Sequence, residues 1–215
     1  MKNKNTLYPV FVKIEKLNVL IIGGGSVALE KVGNILKSSP STNVILISKE
    51  FHYEIVELSH FFSNISLIQK PYHKSDLEDT DMLIAATNDR PLNEQIKEDA
   101  KKLNILTNVA DDPELCDFYL GSVVTKGPLK LGISTNGQSP TLAKKMRMYF
   151  EDVIPDEVEF SAELLNSVRK KIKSDLRHKI STLNTVTSVL NAKAEYKVDY
   201  KSDKFVKTNF DIYLN

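Results

Sequence analysis

Asn18-Val19-Leu20-Ile21-Ile22-Gly23-Gly24-Gly25-Ser26-Val27-Ala28-Leu29-Glu30-Lys31 is the stretch that decides the fold. It reads as strand, turn, helix. Val19 to Ile22 is an unbroken apolar run, the pattern of a parallel strand buried on both faces. Gly23, Gly25 and Ala28 then fill the small-residue positions of the G-x-G-x-x-G/A fingerprint. In that pattern Gly23 permits the tight turn, Gly25 lets the backbone approach a pyrophosphate, and Ala28 lets the new helix pack on the sheet. The helix start adds free N–H groups and the positive end of a dipole. A glycine-rich turn between any strand and helix would share part of this pattern. The context favours the dinucleotide reading, because the motif opens an apolar-faced helix (Ala28, Val32, Ile35, Leu36) and a second strand, Val44 to Ser48, follows it.

Outward from that stretch the alternation continues. The pattern predicts a helix around Glu54 to Phe62 and strands at Ile65 to Gln69, Met82 to Ala86 and Ile105 to Val109, with a helix opened by Pro91 before the last of these. Strands alternating with helices predict a doubly wound parallel sheet. Ligands bind such sheets at the carboxyl ends of the strands. Gly23 to Gly25, Ser48, Thr87-Asn88 and Asp111-Asp112 all fall at carboxyl ends. The tip of the second strand bears on cofactor choice. NAD-preferring sites commonly carry an acid there for the ribose hydroxyls. Here Ser48 and Lys49 come first and an acid only at Glu50, which leaves NAD and NADP both open on residue chemistry.

The alternation changes after Pro113. Phe118 to Thr125 and Leu129 to Ser134 read as two strands joined by Lys126-Gly127-Pro128, an antiparallel ribbon that needs a partner surface. The polar turn Ser134-Thr135-Asn136-Gly137-Gln138-Ser139-Pro140 leads into a helix, with Ser139 as N-cap and Pro140 at the first position. Leu142, Met146, Tyr149, Phe150 and Val153 share one face of it, and Lys144, Lys145 and Arg147 lie elsewhere. Apolar residues recur at helical spacing from Ala162 to about Leu190, consistent with two helices. Asn191 to Asn215 is charged and weakly alternating, by default a frayed tail, as Leu7 to Val12 is by default an edge strand or a clasp.

Composition narrows the function classes. Among 215 residues the formal net charge is +1, which gives no global case for nucleic-acid or membrane binding. The single cysteine, Cys116, allows no intramolecular disulfide and fits a reducing cytosol. The four histidines show no metal-ligand spacing, so no metal site is expected. The first residues carry no signal-peptide pattern, and no apolar run has the length of a membrane span.

Four elements in register carry a family resemblance: Gly23-Gly24-Gly25-Ser26-Val27-Ala28, Ala85-Ala86-Thr87-Asn88-Asp89, Asn108-Val109-Ala110-Asp111, and Ser134 to Pro140. In this order they resemble the precorrin-2 dehydrogenase/sirohydrochlorin ferrochelatase family, the module that begins siroheme synthases. The resemblance implies a Rossmann-like fold followed by a β-ribbon dimerisation segment and a small helical C-terminal domain, divided at 1–113, 114–140 and 141–215. It implies NAD as cofactor, precorrin-2 as substrate, sirohydrochlorin as product and a cytoplasmic homodimer. Iron insertion is a second activity in some members. The residues it implies for cofactor binding are Gly23, Gly24, Gly25, Ser26, Val27, Ser48, Lys49, Thr87, Asn88 and Asn108. Those implied for substrate binding are Ser134, Thr135, Asn136, Ser139, Lys144 and Arg147. Asp111 matches the family's catalytic aspartate, although Asp112 stands beside it with the same chemistry. The family's usual Ala-Pro at the end of the second strand is replaced by Ser48-Lys49. Two other readings fit the same residues: an NAD(H)-sensing regulatory dimer, and a tetrapyrrole chelatase without a redox role.

Overall fold

The structure, a computed structural model, describes residues 5–156 and 158–171 and the residue pairs 196–197 and 206–207. These fall in two compact units, Met1–Ile154 and Pro155–Asn215. The first unit is built on a five-stranded parallel sheet in the order β3-β2-β1-β4-β5. Its strands are β1 (Asn18–Ile22), β2 (Asn43–Ser48), β3 (Ile65–Gln69), β4 (Met82–Ala85) and β5 (Leu106–Val109). They alternate with α1 (Ser26–Ser38), α2 (Tyr53–Phe61) and α3 (Arg90–Lys102).

The apolar strands are continuous because both sheet faces are covered. Val19 and Ile21 of β1 pack with Val44, Leu46, Ile55 and the α1 residues Ala28, Val32 and Ile35. Leu20 and Ile22 point the other way, into a second core with Leu83, Ala85, Ile96, Ala100 and Val109. Period-two alternation along one strand thus feeds two helical layers. The order of strands reverses between β1 and β4, which both pair with each other and turn outward in opposite directions. Such a switch point opens a crevice at the carboxyl ends.

The ion pair of Lys97 with Asp117 fastens α3 to the segment after β5. The Asp117 carboxylate also accepts the Thr107 backbone N–H at 2.9 Å. Burial works against its ionisation, but the Lys97 ammonium and that N–H outweigh it and hold the carboxyl below its ordinary value. A lowered native value contributes stability that is present above the unfolded-state value and is lost as pH falls through the native one. Asp117→Asn is therefore expected to lower the melting temperature at neutral pH and to flatten its fall between neutral pH and roughly pH 3. Melting curves of both proteins across that window check this.

The ribbon comprises β6 (Ser122–Lys126) and β7 (Leu129–Ile133), antiparallel, with Lys126 opposite Leu129. The connection is a two-residue loop whose first residue, Gly127, has φ +52°. The ribbon starts later than the sequence pattern suggests. Phe118 to Gly121 is not strand, because the Phe118 carbonyl is taken by the Asn108 side-chain amide at 2.8 Å. The helix α4 (Pro140–Val153) packs on β6 and β7 and lies in the first unit. Lys130 ties the ribbon to α1 through the Ser38 carbonyl and hydroxyl, the latter at 2.9 Å. Residues 7–12 form no strand, and Tyr8 and Phe11 are exposed.

In the second unit α5 spans Val158–Lys171, and the short strands β8 (Tyr196–Lys197) and β9 (Val206–Lys207) pair antiparallel. The helix expected from 172 to 190 and most of the tail lie outside the described residues.

Candidate functional site

A cleft of about 450 Å³ opens at the carboxyl ends of the sheet. Four parts of the chain frame it: Gly23 to Val27 after β1, Ser48 and Lys49 at the end of β2, Lys70 to Tyr72 after β3, and Thr87 to Asp89 after β4. Ala110 and Asp111 close it from the end of β5.

The glycine turn divides its work among its members. Gly23 has φ +126°, and a Cβ there would lie 2.3 Å from the Ala86 carbonyl oxygen. The same residue's N–H donates to the Ile47 carbonyl at 2.9 Å. Gly23 thus closes β1 against its neighbours on both sides. A Cβ on Gly24 would lie 2.1 Å from the Glu50 carbonyl oxygen. Gly25 differs from both, because a Cβ there would meet nothing within 4 Å. It is the N-cap of α1 in extended conformation, and no side chain caps that helix end. The first-turn N–H groups therefore face a lined, open space, which is the cradle a pyrophosphate requires. Ala28 is fully buried behind it against the sheet. Gly25→Val is accordingly expected to leave the melting temperature of the free protein near its original value and to weaken dinucleotide binding at least about tenfold. Calorimetric titration and a melting curve on the same sample check it.

Around β2 and β3 the cleft is polar. Ser48 Oγ accepts the Glu50 N–H at 3.4 Å, and the Gln69 side chain donates to the Lys49 carbonyl at 3.0 Å. Lys70 pairs with Asp76, whose side chain is buried. The Tyr72 hydroxyl donates to the buried Asp99 carboxylate at 3.3 Å. Burial, and then the charge of Asp99, push the Tyr72 phenol far above its ordinary value, so it stays protonated.

After β4 the turn is held by a closed network. Thr87 Oγ1 donates to Asn93 Oδ1 at 2.6 Å, and Asn93 Nδ2 donates back to the Thr87 carbonyl at 3.1 Å. Asp89 caps α3 by accepting the Leu92 N–H at 3.1 Å. Thr87 and Asn88 both line the cleft, Asn88 with its side chain exposed.

The two aspartates after β5 are placed differently. Asp112 sits 3.5 Å from the Arg90 guanidinium. Asp111 has φ +62°, is exposed and lines the cleft, and no hydrogen bond or ion pair among the described residues holds its carboxylate. The turn beneath it is tied by Cys116, whose sulfur accepts the Val109 N–H at 3.2 Å and lies 3.3 Å from the Asp112 carbonyl. Burial raises the Cys116 thiol above its ordinary value, so it serves as a neutral tie.

Of the residues expected at the cofactor, Gly23, Gly24, Gly25, Ser26, Val27, Ser48, Lys49, Thr87 and Asn88 line the cleft. Asn108 does not. It is buried, and its amide is spent on Phe118 and Cys116. Lys70 and Tyr72 are cleft residues that the sequence reading passed over, although Lys70 directly follows a predicted strand and so stood at a carboxyl end.

The residues expected at the substrate lie in the turn between β7 and α4 (Ser134, Thr135, Asn136, Ser139) and on α4 (Lys144, Arg147), and none of them lines the cleft of the same chain. Their polar groups fold their own turn. Ser134 Oγ accepts the Asn136 N–H at 3.1 Å, Thr135 Oγ1 the Ser139 N–H at 3.1 Å, and Ser139 Oγ the Leu142 N–H at 3.2 Å. Asn136, at φ +54°, supplies the reversal. Arg147 is held by both oxygens of Glu151, at 2.6 and 2.7 Å. Lys144 is exposed.

Comparison with known proteins follows the same division of the chain. Residues 10–122 match a family model described as "Putative NAD(P)-binding". Residues 126–150 match one described as "Sirohaem biosynthesis protein central". Siroheme synthase of Psychrobacter cryohalolentis is 38% identical over 178 residues, covering 82% of this chain and 32% of that protein. Siroheme synthase of Pseudoalteromonas translucida is 34% identical, covering 79% of this chain and 35% of that protein. The chain thus spans about a third of the length of the curated relatives it matches. Among solved structures, SirC, precorrin-2 dehydrogenase, superposes with a TM-score of 0.68 over 84% of this chain and 89% of that one at 22% identity, a likeness of fold.

Proposed function

The chain belongs to the NAD(P)-binding family whose model spans residues 10–122, and from that premise we propose that it dehydrogenates precorrin-2 to sirohydrochlorin. The observation that carries this reading is the pairing of an uncapped helix start at Gly25 with an unpartnered carboxylate, Asp111, in one cleft. The siroheme synthase relatives and the match of residues 126–150 support the choice of substrate.

The reaction removes two electrons and two protons' worth of hydrogen: precorrin-2 and NAD⁺ give sirohydrochlorin, NADH and a proton. When bound, NAD supplies the hydride acceptor. Gly25, Ser26 and Val27 hold its pyrophosphate with backbone N–H groups. Thr87 and Asn88 line the side of the cleft nearer β4, where the Asn93 network fixes Thr87. Asp111 takes the proton at its carboxylate. Asp112 is the poorer candidate, because Arg90 engages its charge. The site needs the protein for position and electrostatics, and the left-handed backbone at Asp111 presents that side chain to the cleft.

In this reading residues 1–113 bind the cofactor, 114–140 serve dimerisation, and 141–215 form a helical C-terminal domain with a charged tail. A homodimer accounts for two features together. Ser134, Thr135, Asn136, Ser139, Lys144 and Arg147 do not line their own chain's cleft, and Leu142, Met148, Tyr149 and Val153 of α4 are exposed. A second copy would cover the apolar residues and bring the polar ones to the other chain's cleft. The cytoplasm is the matching compartment for an NAD-linked enzyme with one unpaired thiol. Among the described residues no helix is long and apolar enough to cross a membrane.

The test is anaerobic incubation with precorrin-2, following the visible spectrum with and without NAD. Conversion that requires NAD supports the reading. NAD binding without conversion moves the assignment to a nucleotide sensor. Ferrous iron added to the product then tests metal insertion.

A further inference from the structure

Asn93 is a polar side chain on the inner face of α3. It is buried on the same face as Ile96 and Ala100, which pack in the second core. An apolar side chain would suit that face, since a buried amide must recover in hydrogen bonds what it loses in water. Among the described residues, every hydrogen bond of the Asn93 side chain goes to Thr87. The polarity of that pair is fixed. The Thr87 carbonyl can only accept, so it faces Nδ2, and Oδ1 then faces the Thr87 hydroxyl, which must donate. The same hydroxyl accepts the Asp89 N–H at 3.2 Å. Asp89 is held from its other side as the cap of α3.

The turn fixed in this way is one wall of the cleft. Thr87, Asn88 and Asp89 all line it. Asn88, between the two held residues, is exposed, and its amide has no hydrogen-bond partner among the described residues. The sheet order decides which part of a dinucleotide meets this wall. The glycine turn after β1 is the switch point, with β2 on one side and β4 and β5 on the other. A dinucleotide lies across such a point with its pyrophosphate on the helix start, and the β2 tip takes the adenosine ribose. The wall after β4 therefore faces the other half, the nicotinamide and its ribose, on the side where Asp111 stands.

We propose that Asn93 is a positioning residue for the nicotinamide half of the cofactor, holding Thr87, and with it Asn88, in the conformation that receives that half. Asn93 itself does not line the cleft and touches no ligand. The inference rests on the dinucleotide reading above and extends it to a residue behind the cleft wall. The cost of a buried amide on α3 is offset at the site, where the turn after β4 is ordered before the cofactor arrives.

Calorimetric titration of the full chain with NAD⁺ and with ADP tests it. ADP carries the adenosine and the two phosphates but lacks the half that meets the β4 wall. Asn93→Ala is expected to weaken NAD⁺ binding about tenfold, the worth of about one or two hydrogen bonds, and to leave ADP binding unchanged. Thr87→Val keeps the branched shape, removes the hydroxyl and leaves α3 intact, so it is expected to show the same split and decides the matter if Asn93→Ala does not fold. Because both variants act on one contact, the double variant should lose less NAD⁺ affinity than the two single losses combined. A defect of the core alone would lower both affinities, so equal losses for NAD⁺ and ADP overturn the proposal. NAD⁺ binding unmoved by either variant overturns it as well, and fully additive losses overturn the route through Thr87. A parent protein that binds no NAD⁺ overturns the dinucleotide reading itself, and the proposal with it.

Discussion

Asp111→Asn is expected to lower the turnover of precorrin-2 by about 10²–10⁴-fold, the range for loss of a positioned general base. Asparagine is the informative replacement. Asp111 sits at φ +62°, a left-handed conformation that asparagine adopts readily and alanine does not. Asp111→Ala would mix a catalytic loss with backbone strain, whereas Asp111→Asn keeps the shape of the side chain and removes only its charge and basicity. Its carboxylate has no partner among the described residues to orphan, so the melting temperature of the variant should stay near the original. Asp112→Asn supplies the contrast. It loosens the contact with the exposed guanidinium of Arg90, and pairs with an exposed, solvent-screened partner contribute little to stability. Turnover measurements on both variants separate two neighbouring acids that sequence chemistry leaves equivalent. Equal losses in both would contradict the assignment to Asp111.

Gly23→Ala is expected to produce the largest loss of stability. The residue's φ of +126° is a conformation that residues with side chains rarely adopt, at a cost of about 1–3 kcal/mol. The new methyl would also lie 2.3 Å from the Ala86 carbonyl oxygen, so β1 and β4 must separate at their carboxyl ends. A total of about 3 kcal/mol corresponds to a melting-temperature decrease of roughly 6–12 °C in a chain of this size. The variant should also lose dinucleotide binding, because the turn that presents the α1 N-terminus would move. Gly25→Val distinguishes the two duties of the motif. There the structure has room and only the ligand does not. A Gly23→Ala protein as stable as the parent would refute the account of the turn.

These contrasts bear on how much was legible in the sequence. The five parallel strands and the carboxyl-end convergence were legible because both signals are local: apolar-rich runs of strand length, each followed by a small or polar residue. The two-sided core follows from the same runs. Asn108 was not legible. Its place in the family's Asn108-to-Asp111 element, near the carboxyl end of β5, suggested a ligand contact, but its amide reaches Phe118, ten residues on, and that bond also delays the start of the ribbon. Lys70 and Tyr72 were hidden for a different reason. The stretch after β3 looked like a plain connection, and only the sheet order places β3 beside β2 at the rim. The separation of the Ser134–Ser139 turn from the cleft was invisible as well, since motif order along a chain carries no information about distance in the fold.

The most direct test of the central claim is the stoichiometry of a single turnover. Protein is mixed anaerobically with precorrin-2 and limiting NAD⁺, and NADH and sirohydrochlorin are measured together. The account predicts one NADH for each sirohydrochlorin formed, with both lost in Asp111→Asn. Sirohydrochlorin formed without NADH, or NADH formation unaffected by Asp111→Asn, would contradict it.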